Sequence, residues 1–276
     1  MTGKLIKYEF RSIVKLMSIV WAALPVMALI TGFFGKQTFS DTGFSETPFI
    51  TDVIGVASAF LFGGIFMAMA AVTLLVILLR FYRGLLKDEG YLMHTLPVKT
   101  WQLITAKGVV AVCVTLISIA VAFLSILLLT AFEGGFAAFG RFAAELFRTY
   151  GERPVYILIS VEIIVLVIVW ILANIYRLYA SMAVGQLAKR HKILLSVAAY
   201  LGIGVAGMII LSVVGQVLSL DLFEPIIDLA FGWMDAFDFV DAMQAGLIAL
   251  TVIGIAEVAV FHIISEQILR KKLNLE

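Results

Sequence analysis

Long apolar runs broken by short polar clusters set the pattern of this chain. The runs fall at about Ile13–Phe34, Val53–Leu79, Gly108–Phe132, Val155–Tyr176, Ile193–Leu218 and Ala245–Ile264. Each supplies the roughly 20 apolar residues with which a helix crosses about 30 Å of hydrocarbon. Lipid offers no partner to an exposed backbone group, so such runs must be helical. The pattern predicts an all-α, polytopic membrane protein with six transmembrane helices and short amphipathic helices in the connections.

Two connections carry such helices. Between the third and fourth runs, Phe136, Phe139, Phe142, Leu146 and Phe147 interleave with Arg141, Glu145 and Arg148, the stripe of a helix lying in a membrane interface. Between the fifth and sixth, residues 219–243 hold Asp221, Glu224, Asp228, Asp235, Asp238 and Asp241 with no Lys or Arg, spaced among Leu222, Phe223, Ile226, Ile227, Leu229, Phe231 and Trp233. Short helices at the outer interface are expected there. Acids tolerated outside account for this composition, and attraction of cationic amphiphiles is the alternative. The first twelve residues mix Leu5, Ile6, Tyr8 and Phe10 with Lys4, Lys7 and Arg11. They read either as an amphipathic helix in the inner headgroup region or as a basic retention signal. The apolar run after them is expected to be a retained span rather than a cleaved leader, because no small-residue cleavage site accompanies it.

Composition removes the soluble alternative: 62% of the residues are hydrophobic and 14% charged, against about 25% charged in soluble domains. In 276 residues, six spans and their connections form a single membrane domain and are expected to leave no room for a nucleotide-binding or catalytic one. The net charge of +1 hides a strong asymmetry. Sixteen of the twenty Lys and Arg lie at the two ends and in the second and fourth connections, and only Lys36, Arg141, Arg148 and Arg153 lie elsewhere. Basic residues stay cytoplasmic, so both termini are expected inside, which an even number of spans satisfies. Nothing favours nucleic acid.

The motifs exclude more than they assign. Cys113 is the single cysteine and falls inside the third run, where packing is its expected role. His94, His191 and His262 show no metal-ligand spacing. Gly202-Ile-Gly204-Val-Ala-Gly207 matches the dinucleotide fingerprint in letters only. That motif requires a strand before it and a helix after it, so these glycines are expected to serve close helix packing in lipid. No phosphate-binding loop of the GxxxxGK[ST] type is present, so ATP hydrolysis by that route is excluded.

The charged stretch 80–107 interrupts this pattern most sharply. Arg83, Lys87, Asp88 and Glu89 precede Gly90, and Tyr91-Leu92-Met93-His94-Thr95-Leu96-Pro97-Val98 comes after it. Proline lacks a donor and disfavours helix at the residue before it. A helix, a turn near Pro97 and a second helix from Thr100 are therefore expected at the membrane surface.

At Asp88-Glu89-Gly90-Tyr91-Leu92, Thr95-Leu96-Pro97-Val98 and Lys107, with Leu5-Ile6-Lys7-Tyr8-Glu9-Phe10 at the amino end, the chain resembles the ABC-2 type permeases, membrane subunits of ATP-binding cassette exporters. The six-run layout fits along the whole chain. The resemblance implies that 80–107 is a coupling segment docking onto a separately encoded ATPase subunit, with Arg83, Lys87, Asp88, Glu89 and Tyr91 as contacts. It implies a second permease copy, identical or related, and ATP and magnesium held by the partner, with no cofactor in this chain. It further implies a multi-pass place in a cell membrane, expected to be bacterial; the cargo is not identified by these residues, with an amphiphile or a peptide antibiotic as candidate classes.

Charged and polar groups inside spans are costly enough to mark function by default. Glu162, Asn174, Glu257 and His262, in the fourth and sixth runs, are candidates for a substrate pathway. The alternative to the exporter is an autonomous secondary transporter or channel using Glu162, Glu257 or His262. A membrane enzyme would need clustered catalytic groups that the sequence lacks.

Overall fold

A computed structural model describes residues 2–38, 49–86, 99–188, 190–218 and 239–271. They form seven α-helices: α1 Thr2–Thr38, α2 Phe49–Phe81, α3 Thr100–Leu129, α4 Gly135–Glu152, α5 Val155–Gly185, α6 Lys192–Leu218 and α7 Phe239–Lys271. A π-helical turn, Tyr82–Leu86, ends α2, and a 3₁₀ turn, Ala131–Glu133, comes after α3. No strand occurs among the described residues. All helices but α4 are long and apolar enough to cross a membrane, and the protein is an all-α polytopic membrane protein. Residues 87–98 and 219–238 lie outside the described residues, and with them four of the five candidate coupling residues, Lys87, Asp88, Glu89 and Tyr91, and most of the acidic connection.

Packing divides the chain into two compact units, Met1–Arg80 with Val109–Tyr156, and Phe81–Gly108 with Ile157–Glu276. In the first unit, α1 is one continuous helix of 37 residues, so its basic start is the helical extension of the span and not a separate surface helix. The reason is periodic burial: Glu9, Ile13, Met17, Leu24, Ala28 and Thr31 are buried along one face, at the three- and four-residue spacing that aligns side chains on a helix. Ile13 and Met17 pack with Val76 of α2 and Val110 and Val114 of α3, and Ile6, Phe10, Trp21 and Val72 close around them.

Hydroxyl and indole groups tie these helices crosswise. The Trp21 Nε1–H donates to Ser118 Oγ at 2.9 Å, and the Ser118 and Thr73 hydroxyls meet at 3.1 Å. The Thr31 hydroxyl donates to the Ser58 carbonyl at 3.0 Å. At the basic end of α1, Arg80 bonds to Ser12 and lies 3.6 Å from the buried Glu9 carboxylate. Near the other end, a side chain at Gly32 would collide with the Leu129 carbonyl, so only glycine permits this approach of α1 to α3.

The amphipathic helix expected in the third connection is α4. It starts after Gly134, whose φ of 84° favours glycine, and none of its residues is buried. Its phenylalanines stay exposed, while Arg148 pairs with Glu145 and Glu152 along the polar face.

Two expectations about packing are corrected. Cys113 is exposed and packs against no core. At Gly202, Gly204 and Gly207 an added Cβ would meet nothing within 4 Å, so these glycines make no close helix contact among the described residues. The tight glycine contacts lie elsewhere in the second unit: Gly254 against Val169 at 2.7 Å, and Gly185 against the Ser196 side chain and the Lys192 carbonyl.

Candidate functional site

In the second unit, polar and aromatic side chains meet where α2 ends, α3 begins and α5 is most deeply packed. The start of α3 is capped: the Lys99 backbone N–H donates to Gln102 Oε1 at 3.2 Å, and the Lys99 carbonyl accepts from the Gln102 and Leu103 amides. This is the reciprocal half of a capping box, and it confirms the helix expected from Thr100. Leu103, Ile104, Ala106, Lys107 and Gly108 are then buried.

Lys107, the last residue of the charged stretch 80–107, lies inside the packed start of α3. Its side chain is buried, 6% exposed, and its Nζ lies 2.6 Å from where a Cβ at Gly84 would stand. The π-helical turn brings Gly84, Leu85 and Leu86 inward. A π-turn carries one more residue than a turn of α-helix. Arg83, on the same turn, is exposed and is the one candidate coupling residue within the described residues.

Aromatic rings hold α5 to these elements. Phe81 stacks on Tyr179 with centroids 3.9 Å apart and planes 12° from parallel, and the Tyr179 hydroxyl donates to the Lys107 carbonyl at 3.3 Å. Tyr176 meets Tyr179 edge-on at 5.9 Å and lies 5.3 Å from the His262 ring of α7. Its phenol covers Gly108 so closely that a Cβ there would fall 2.8 Å from the oxygen.

Beside these rings is an ion pair. Arg177 Nε donates to Glu257 Oε1 at 3.1 Å, a second guanidinium nitrogen reaches the same oxygen, and the guanidinium carbon stands 5.9 Å from the Phe261 ring centre. The side chains are 27% and 30% exposed. Charges this far into a span require pairing. The fork of arginine with a ring at its face is the favourable way to supply it.

Of the four pathway candidates, Glu257 and His262 thus meet neighbouring residues of α5, Arg177 and Tyr176. Asn174 is spent on its own helix, donating to the Trp170 carbonyl at 2.8 Å. Glu162 is half-buried, and its shielded Oε2 has no hydrogen-bond partner among the described residues. The sequence reading missed Arg177, Tyr176 and Tyr179, because it ended the fourth span at Tyr176 while α5 runs on to Gly185. A lone acid in the sixth run calls for a cation, and Arg177, the basic residue nearest the fourth run, was the available signal. No group of three or more His, Cys, Asp or Glu among the described residues is placed to hold a metal. Compared with known protein families, with curated proteins and with solved structures, the chain finds no match in any of the three.

Proposed function

We propose that this membrane transporter-like protein is the permease subunit of an ATP-binding cassette exporter, coupled through residues 80–107 to a separately encoded ATPase. One observation supports the reading most. The elements flanking 87–98 are among the most firmly seated in the second unit: Phe81, Leu85, Leu86, Leu103 and Ile104 are all buried. A segment that carries force into two spans must be rooted in packed structure, because a load on loosely held ends is dissipated locally. The resemblance at Asp88–Leu92 and Thr95–Val98 supplies the identity of the partner.

The test is co-purification with a co-expressed ATPase. Glu89→Lys reverses one charge at the proposed contact, where like charges cost several kcal/mol, and is expected to abolish complex formation at normal membrane abundance. Wild-type complex formation and ATP turnover in both Glu89→Lys and Arg83→Glu refute the coupling role. The isolated chain is expected to turn over no ATP. A second reading, an autonomous secondary transporter, draws on Arg177, Glu257 and His262 inside the spans. ATP-independent transport by the chain alone in proteoliposomes decides for it.

A further inference from the structure

The turn from α5 into α6, with Tyr82 beside it, forms an open surface groove that neither the exporter reading nor the ion pair uses. Its volume is about 560 Å³, and it is lined by Tyr82, His191, Lys192, Ile193, Leu194 and Val197. Both of its walls are conformationally unusual. Tyr82 opens the π-helical turn, and His191 has φ of 58°, the only non-glycine residue with positive φ among the described residues. A residue other than glycine at positive φ is strained and persists where the surroundings hold it. Here they do: Gly185 packs onto Ser196, whose hydroxyl donates to the Lys192 carbonyl at 3.0 Å, and the His191 carbonyl accepts the Leu195 amide at 3.1 Å.

The lining divides by chemistry. Ile193, Leu194 and Val197 form an exposed apolar wall, continuous with the lipid-length helix α6. Lys192 and His191 form the polar end, and Arg190, exposed, adjoins them. Tyr82 contributes an aromatic body with a polar tip, the kind of side chain that settles at headgroup level. The asymmetry of basic residues puts this connection at the cytoplasmic face, the leaflet to which basic pockets between helices draw anionic headgroups.

We propose that this groove binds one anionic phospholipid of the inner leaflet, its phosphate against Lys192 and Arg190 and its acyl chain along Ile193, Leu194 and Val197. The inference does not depend on the exporter reading. Apolar length beside cationic charge selects a lipid over a free phosphate, which would gain nothing from the apolar wall.

Native mass spectrometry of the purified full-length protein, after exchange into mixed vesicles of phosphatidylglycerol and phosphatidylcholine in equal parts, tests this. One phosphatidylglycerol is expected to be retained in preference to phosphatidylcholine. Lys192→Gln is expected to weaken that preference roughly fivefold, the equivalent of about 1 kcal/mol per basic residue near anionic lipid. Val197→Trp, which fills the groove and leaves the charges in place, is expected to reduce retention of the lipid itself. Lys15→Gln, an exposed basic residue of the other unit, should change neither. Circular dichroism checks that each variant is folded, and wild-type retention alone decides if one is not. Equal retention of the two lipids by the wild type overturns the proposal. So does unaltered preference in Lys192→Gln, or competition by glycerol 3-phosphate as effective as that by the lipid.

Discussion

The two compact units hold their helices by different chemistry. In the first, α1, α2 and α3 are joined by an apolar stripe and by neutral groups, with Trp21, Ser118 and Thr73 in a chain of hydrogen bonds and one charge pair, Glu9 with Arg80. In the second, stacked and edge-on aromatics surround a buried lysine and an ion pair between α5 and α7. Neutral hydrogen bonds between spans are weak, about 0.6 kcal/mol on average, because helices separated in lipid find other partners for the same groups. A charge pair is different, since removing one member leaves the other uncompensated. Loss of a neutral contact such as Trp21–Ser118 is therefore cheap, whereas loss of one charge is costly in either unit, at Glu9 and Arg80 as at Arg177 and Glu257.

The comparison can be broken most directly at the ion pair. Glu257→Leu leaves Arg177 without its carboxylate and is expected to cost about 3 kcal/mol, the low end for a broken buried pair because the site is partly exposed. Thermal unfolding in detergent measures it, and the swap Arg177→Glu with Glu257→Arg should recover most of the loss. A swap as damaging as the single change would show that the pair does more than hold α5 to α7. Next, Gly108→Val should cost about 2 kcal/mol by overpacking against Tyr176, with partial recovery in combination with Tyr176→Ala. Equal stability of the single and double variants would remove that contact from the core. In the first unit, Ser118→Ala is expected to cost only about 0.6 kcal/mol. A loss several times larger would make the two units alike after all. Cys113→Ala, at an exposed position, should stay within about 0.5 kcal/mol of the wild type.

Much of the architecture is legible in hydrophobic pattern because lipid imposes it segment by segment. The expected starts of the second, fourth and fifth spans lie within a few residues of α2, α5 and α6, and the phenylalanine stripe at 136–147 is the helix α4. The ends inside water or protein were less legible. Hydropathy stopped the first span at Ile13 and the fourth at Tyr176, where charges begin, but α1 and α5 continue through their charged turns. What makes this possible is burial of Glu9 and partnering of Arg177, and pairing between residues 80 positions apart leaves no local mark. The same limit explains Gly202, Gly204 and Gly207, whose small size permits close packing without requiring it.

The unbroken run of α1 has a mechanical consequence. Its first eleven residues, Thr2–Ser12, extend about 16 Å beyond the apolar stretch at a rise of 1.5 Å per residue, and Lys4, Lys7 and Arg11 stand exposed on that arm. A hinge before the span would let the arm swing freely. As a single rod it is a lever, and a pull on Lys4 reaches Met17 and Leu24 with little loss. Pro25, inside α1, is where the ladder of backbone bonds is interrupted and the lever can bend.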